Sequence, residues 1–471
     1  MRSNWWKAVV PLLLWIIILL LPAPAGLNTQ AWHYAGLFTA VILGLILEPI
    51  PAAAIGFIGV TLAMVLGYIA PTPGESIAWG VSGFSNTTVW LIFGAFILSM
   101  GYQKSGLGRR IALYLVKLLG KRTLGLGYAV ALADLALAPA TPSNTARSAG
   151  TIYPIISNIP GLFGSEPGAT AGKIGSYIMW TAFATTAVTS SLFLTALAPN
   201  PLALSFVRDI AAVDISWGQW FLGFLPVGIV LFVSLPLLVY ILYPPEIKTS
   251  REAPSWASGE LEKMGPVTFK ESVMAALVIL ALILWIFGGS LVHTTAVVWV
   301  VISLMIITGI LDWDDILNNQ IAWNMLVWFA TLVALAAGLK RVGFLEWAAE
   351  NVATVLGGFS PLMILTGLIV FFFLIHYFFA SLTAHTTAIM PVLLTVGIAI
   401  PGIPRVPFVL LLCYAIGLMG VLTPYATGPG PVYYGSGYIS RTDFWRLGLI
   451  FGMIFLVVLL GIGIPYLTYV M

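Results

Sequence analysis

Apolar runs of about 17–25 residues recur along the whole chain, from residue 5 to residue 470. That is the length an α-helix needs to cross about 30 Å of hydrocarbon at about 1.5 Å per residue, whereas barrel strands take about 10 residues. The runs leave little room for a water-exposed surface. Only 8% of the 471 residues are charged, 60% are hydrophobic and the mean hydropathy is +1.02, where a soluble domain carries about 25% charged residues. A soluble enzyme, a disordered region and a fibrous protein are excluded. The expected fold class is an all-α polytopic membrane protein. A net charge of +3 gives no reason to expect a nucleic-acid partner. Cys413 is the single cysteine, so neither an intrachain disulfide nor a cysteine metal site can form. There is no HExxH, P-loop or CxxC, and no metal or cofactor is expected.

About eleven spans emerge, near 5–21, 32–48, 52–70, 87–103, 173–194, 219–243, 271–288, 294–311, 322–339, 405–422 and 443–470. Starting with the N-terminus in the cytoplasm, fifteen Lys and Arg residues fall in inside loops. Four (Arg208, Lys340, Arg341 and Arg405) fall outside, and Arg147 lies in an interrupted stretch. Positive residues favour the cytoplasmic side, so the expectation is N-inside and C-outside in the cell inner membrane. The first run also has features of a signal peptide, with Ala23-Pro24-Ala25 as a poor cleavage context. Residues 244–270 form the longest polar loop, a cytoplasmic linker. Residues 105–121 set Leu107, Ile111, Leu115, Leu118 and Leu119 against Arg109, Arg110 and Lys117. That pattern fits a helix lying on the membrane surface or an ordinary connecting helix, and 343–356 occupy the same place in the second half.

The halves echo each other. KSGL at 104–107 matches RVGF at 341–344, Ser143-Asn144-Thr145 matches Ser381-Leu382-Thr383, and Leu194-Thr195-Ala196 matches Leu422-Thr423-Pro424. An odd number of spans separates equivalent points, so the second half is inserted upside down. Inverted repeats with broken helices point to secondary transporters with a site near the bilayer midplane.

Stretches 123–158, 195–212 and 360–400 are apolar but broken by Pro, Gly, Ser, Thr and Asn. The run 124–138 is about fifteen residues, too short to span, and the Pro139–Thr145 segment follows it. It reads as a re-entrant hairpin from the inside, with 360–400 as its mate from the outside. Ser143, Asn144 and Thr145 begin one second arm, and Ser381, Leu382 and Thr383 begin the other. Free N–H groups at a helix N-terminus suit an anion, and plain N-capping favours the same residues. Arg147 and His385 each lie two residues beyond their Thr. A buried arginine must meet an anion, either a substrate or Asp134, thirteen residues earlier on the other arm. His385 is either titrating or a neutral, hydrogen-bonded histidine. His376 and His293 are weaker candidates, and Glu48 reads as a loop residue. Residues 195–201 (TALAPNP) and 423–431 (TPYATGPGP) interrupt two spans. Thr195, Asn200, Thr423, Thr427 and nearby carbonyls either bind substrate or cation there or simply mark packing kinks.

At these residues the chain resembles the divalent anion/sodium symporter (DASS, INDY-type) family over nearly its whole length. The contexts PSNTARSAGTIYP and SLTAH resemble the dicarboxylate/tricarboxylate exchanger branch. The resemblance implies a homodimer and an elevator mechanism with substrate carboxylates held at the hairpin tips. It also implies a scaffold (1–122 and 271–359) and a mobile transport domain (123–243 and 360–471), joined by the linker 244–270. Leu382 stands where the sodium-coupled branch has Asn, and it cannot ligate sodium through its side chain. With Arg147, and His385 when protonated, as charges that stay behind, an empty carrier would move uncompensated charge. The expectation is therefore sodium-independent exchange of di- or tricarboxylates of the 2-oxoglutarate, succinate, malate, fumarate or citrate class. A sodium-coupled symporter, a membrane enzyme built on Ser143, His385 and Asp134, and an anion channel are the alternatives.

Overall fold

The computed structural model describes residues 5–289, 291–356 and 358–470; Arg2, one of the expected inside cations, lies outside them. The regular secondary structure of the described residues is helical, apart from one isolated antiparallel bridge between Arg122 and Thr249. Every apolar run expected to span contains a helix, from Trp6–Leu20 to Arg441–Val458 and its continuation to Val470. Eight helices among the described residues are long and apolar enough to cross a membrane, and four shorter apolar helices accompany them. The chain is a multi-pass membrane protein.

Two of the three interrupted stretches, 123–158 and 360–400, fold as helix pairs whose arms pack on one another. The first is Thr123–Leu137 followed by a tip and a π-helical arm, Thr145–Ile152, that ends in Tyr153–Ile156. A 3-10 turn, Ala138–Ala140, lengthens its first arm to 18 residues. That arm is therefore longer than the apolar count alone suggests. The second pair is Pro361–Leu374, a 3-10 turn Ile375–Phe378, and Leu382–Ala399. The repeat is visible in local geometry. Gly106 and Gly343 have φ of +78° and +81°, a left-handed conformation that favours glycine. Each turns a span into an amphipathic helix of 13 residues, Leu107–Leu119 and Phe344–Leu356.

The chain divides into two compact units. One comprises Met1–Phe93, Pro201–Asp214 and Gln320–Cys413. Its core gathers Tyr34, Phe38, Val41, Trp79, Leu335 and Leu339, and the buried Tyr34 hydroxyl donates to the Leu335 carbonyl at 2.7 Å. Small residues let its helices approach closely, as membrane helices require. A Cβ on Gly83 would land on the backbone of Ala330. Gly83→Ala is therefore expected to destabilise the protein by about 1–3 kcal/mol, read as a lower unfolding midpoint in detergent. An unchanged midpoint would show that these backbones are further apart.

The other unit comprises Gly94–Asn200, Ile215–Asn319 and Tyr414–Met471. Gly175–Leu192 is buried at every residue, and Trp217–Leu242 packs against it. Leu222, Ile229, Val233, Leu237 and Ile241 of that second helix stay exposed, an apolar face suited to lipid. The polar linker is not a simple loop. Residues Glu252–Met264 form a helix packed on Leu107–Leu119. Arg109 pairs with Glu260 at 2.7 Å. The buried Arg110 pairs with Glu271 at 2.6 Å and donates to the carbonyls of Gly265 and Pro266. Hydrogen bonds from Lys263 and Arg109 hold the Glu260 carboxyl below its ordinary range, so these contacts persist at neutral pH.

Candidate functional site

The first hairpin tip is clasped by both interrupted spans. The Ser143 hydroxyl accepts from Ala146 N–H at 3.1 Å, which caps the second arm. Asn144 donates to the Thr427 hydroxyl at 2.7 Å. Thr145 is exposed and lies against Gly428, where a Cβ would collide with its hydroxyl. On the other side Ala198 N–H donates to the Pro142 carbonyl at 2.8 Å. Thr195 donates to the Pro139 carbonyl and accepts from the Trp217 indole. Asn200 sits inside a regular turn, because Pro199–Phe206 is helical. Proline is tolerated in a first turn, so the break is confined to the residues just before it. The Asn200 amide nitrogen donates to the carbonyls of Ser190 and Phe193. Its Oδ1 and the Thr423 hydroxyl are buried without a hydrogen-bond partner.

Arg147 is wholly buried, and all of its N–H groups are engaged within the unit. Nε donates to both carboxylate oxygens of Asp134 at 3.2 Å. Nη1 donates to the carbonyls of Thr141 and Ala196 at 3.0 and 2.8 Å. Nη2 reaches the hydroxyls of Thr186, Thr189 and Ser190 at 3.1–3.3 Å. Thr186 and Thr189 donate in turn to Asp134. Of the two partners open in the sequence, Asp134 is the one that meets Arg147. The arginine is neutralised by the protein, and it ties both arms, the tip and the broken span together. The run Thr185–Ser191, rich in hydroxyls inside an apolar span, was the available signal for this network.

The second tip repeats the capping geometry, with Ser381 accepting from Ala384 N–H at 3.3 Å. Leu382 and Thr383 are buried, and Ser381 is half-buried. His385 lies against the rings of Phe372 and Phe379. Its Nδ1 is 2.9 Å from Nδ1 of His376, while its Nε2 is buried without a hydrogen-bond partner. His376, a lesser candidate by sequence, is thus in direct contact with His385. His293 instead caps a helix by accepting from Thr295 N–H, and Glu48 is the left-handed C-cap of Thr29–Leu47. A cavity of about 470 Å³ in the same unit as the first tip is lined by Arg109, Thr151, Asn158, Trp256 and Glu260 and by no residue of that tip.

Serine-capped helix starts with adjacent hydroxyls and amides are chemically suited to small anions. The model of the family described as "Sodium:sulfate symporter transmembrane region" matches residues 2–471. The chain belongs to this family. It is 48% identical over 482 residues to the L-tartrate/succinate antiporter of Escherichia coli K12, covering 100% of this chain and 99% of that protein. It is 49% identical over 480 residues to the citrate/succinate antiporter of the same strain, covering 99% of each. Among solved structures, the YdaH transporter of Alcanivorax borkumensis shares the fold, with a TM-score of 0.52 at 16% identity over 83% of this chain and 87% of that one.

Proposed function

We propose that this protein is an antiporter that exchanges one dicarboxylate for another across the bacterial inner membrane, with succinate-class acids as substrates. The observation that carries the reading is identity near 48%, over full length, to two antiporters that both name succinate. Ser143, Asn144, Thr145, Ser381 and Thr383 are assigned to substrate carboxylates, with Thr195, Asn200, Thr423 and Thr427 as their supports. Leu382 shapes the second tip through its apolar side chain, while its carbonyl accepts from the Thr386 hydroxyl. A homodimer, an elevator movement of the transport segments 123–243 and 360–471, and an N-inside, C-outside topology complete the proposal. No chemical conversion of substrate is involved. Obligate exchange does not rest on an unpaired Arg147, because Asp134 already compensates it.

The test is uptake of labelled succinate into proteoliposomes, with and without internal dicarboxylate and with sodium or choline outside. Uptake confined to preloaded vesicles and indifferent to sodium is expected. Sodium-dependent uptake into empty vesicles would overturn it. Sodium-coupled symport is the second reading, favoured by the unpartnered oxygens of Asn200 and Thr423. Gly428→Ala is expected to raise the KM for succinate about tenfold, because its methyl displaces the Thr145 hydroxyl and removes a hydrogen bond to a charged group. A KM equal to wild type would remove Thr145 from the site.

A further inference from the structure

We propose that His376 sets the proton position of His385, so that His385 meets substrate as an Nε2–H donor. The inference rests on the dicarboxylate reading above and deepens it. His376 is the second residue of the 3-10 turn Ile375–Phe378 that follows the first arm, and His385 lies in the first turn of the second arm, Leu382–Ala399. Both side chains are fully buried. The imidazoles stack with centroids 5.0 Å apart, and the two Nδ1 atoms face each other at 2.9 Å.

Two bare nitrogens at that distance repel, and two N–H groups clash. One ring must donate and the other accept. In a neutral imidazole the proton sits on one nitrogen only, so a hydrogen bond at Nδ1 dictates the state of Nε2. A carboxylate accepts hydrogen bonds and cannot donate. The useful arrangement has His376 donating from Nδ1 to a bare Nδ1 on His385, which places the His385 proton on Nε2. That Nε2 is the ring atom with no partner in the protein, and an unmet buried polar group needs a partner from elsewhere. His376 is thus a positioning residue, and His385 makes the contact.

The chain has four histidines, so ¹⁵N-histidine-labelled protein in bilayers gives a tractable solid-state NMR spectrum, with His385→Gln assigning one pair of signals. The expected result is a bare Nδ1 and a protonated Nε2 on His385. His376→Leu is expected to scramble that tautomer and raise the KM for succinate about tenfold or more, with kcat changed less than about threefold. His376→Asn, which keeps a hydrogen-bonding group near the Nδ1 position, is expected to restore KM to within about threefold of wild type. His385 protonated at Nδ1, or at both nitrogens, overturns the proposal, as does an unchanged KM in His376→Leu. Failure of His376→Asn to rescue would reduce His376 to packing. If wild type exchanges no dicarboxylate while His385 shows the expected tautomer, the transport reading fails and the histidine assignment stands.

Discussion

Arg147→Leu is expected to destabilise the protein by about 3–5 kcal/mol, the cost of leaving a buried partner charge uncompensated. The partner is Asp134, 1% exposed and left with only the hydroxyls of Thr186 and Thr189. The carbonyls of Thr141 and Ala196 also lose a donor. Thermal unfolding of the detergent-solubilised protein should show a clearly lower midpoint. Asp134→Leu should do the same, because it strands the guanidinium instead. The double replacement should recover most of the loss, since a buried ion pair can often be exchanged for apolar groups at little net cost. A double-mutant cycle isolates the coupling. Additive single effects would mean that the pair is not formed. The same cycle bears on function. A stable double variant that still exchanges dicarboxylate would show that Arg147 holds the hairpin in shape without touching substrate.

Arg110→Ala is the second large effect, at about 3 kcal/mol. Its side chain is 5% exposed and that of its partner Glu271 is 1% exposed. The loss is smaller than for Arg147 because Glu271 keeps the Thr268 backbone N–H as a donor within a capping box. Removing Arg110 also frees the carbonyls of Gly265 and Pro266 at the end of the linker helix. The linker should therefore loosen, and trypsin should cut near Arg251 and Lys263 far faster than in wild type. Glu271→Gln keeps an acceptor and should cost only about 1–2 kcal/mol. Unchanged protease resistance in Arg110→Ala would show that the helix docks through its apolar face alone, by Ala253, Ala257 and Leu261.

The helices, the hairpin arms and the repeat were legible in the chain itself, and the reason is local. In hydrocarbon each backbone N–H and C=O must be satisfied within its own segment, so a long apolar run determines a helix without reference to its neighbours. Ser143 and Ser381 capping their arms, Gly106 and Gly343 turning the chain, and proline confining the breaks are all local in the same sense. Tertiary structure decided where the polar groups inside the membrane find partners. Whether Arg147 met Asp134 or a ligand depended on the Thr186–Ser190 hydroxyls, which come from a helix about 40 residues further on. A turn brings His376 Nδ1 to His385, and the linker helix is held by Arg109 and Arg110 on Leu107–Leu119, far from it in sequence. No periodicity encodes such pairings. A buried polar group is costly unless paired, and the partner that pairs it is chosen by packing between segments far apart in sequence.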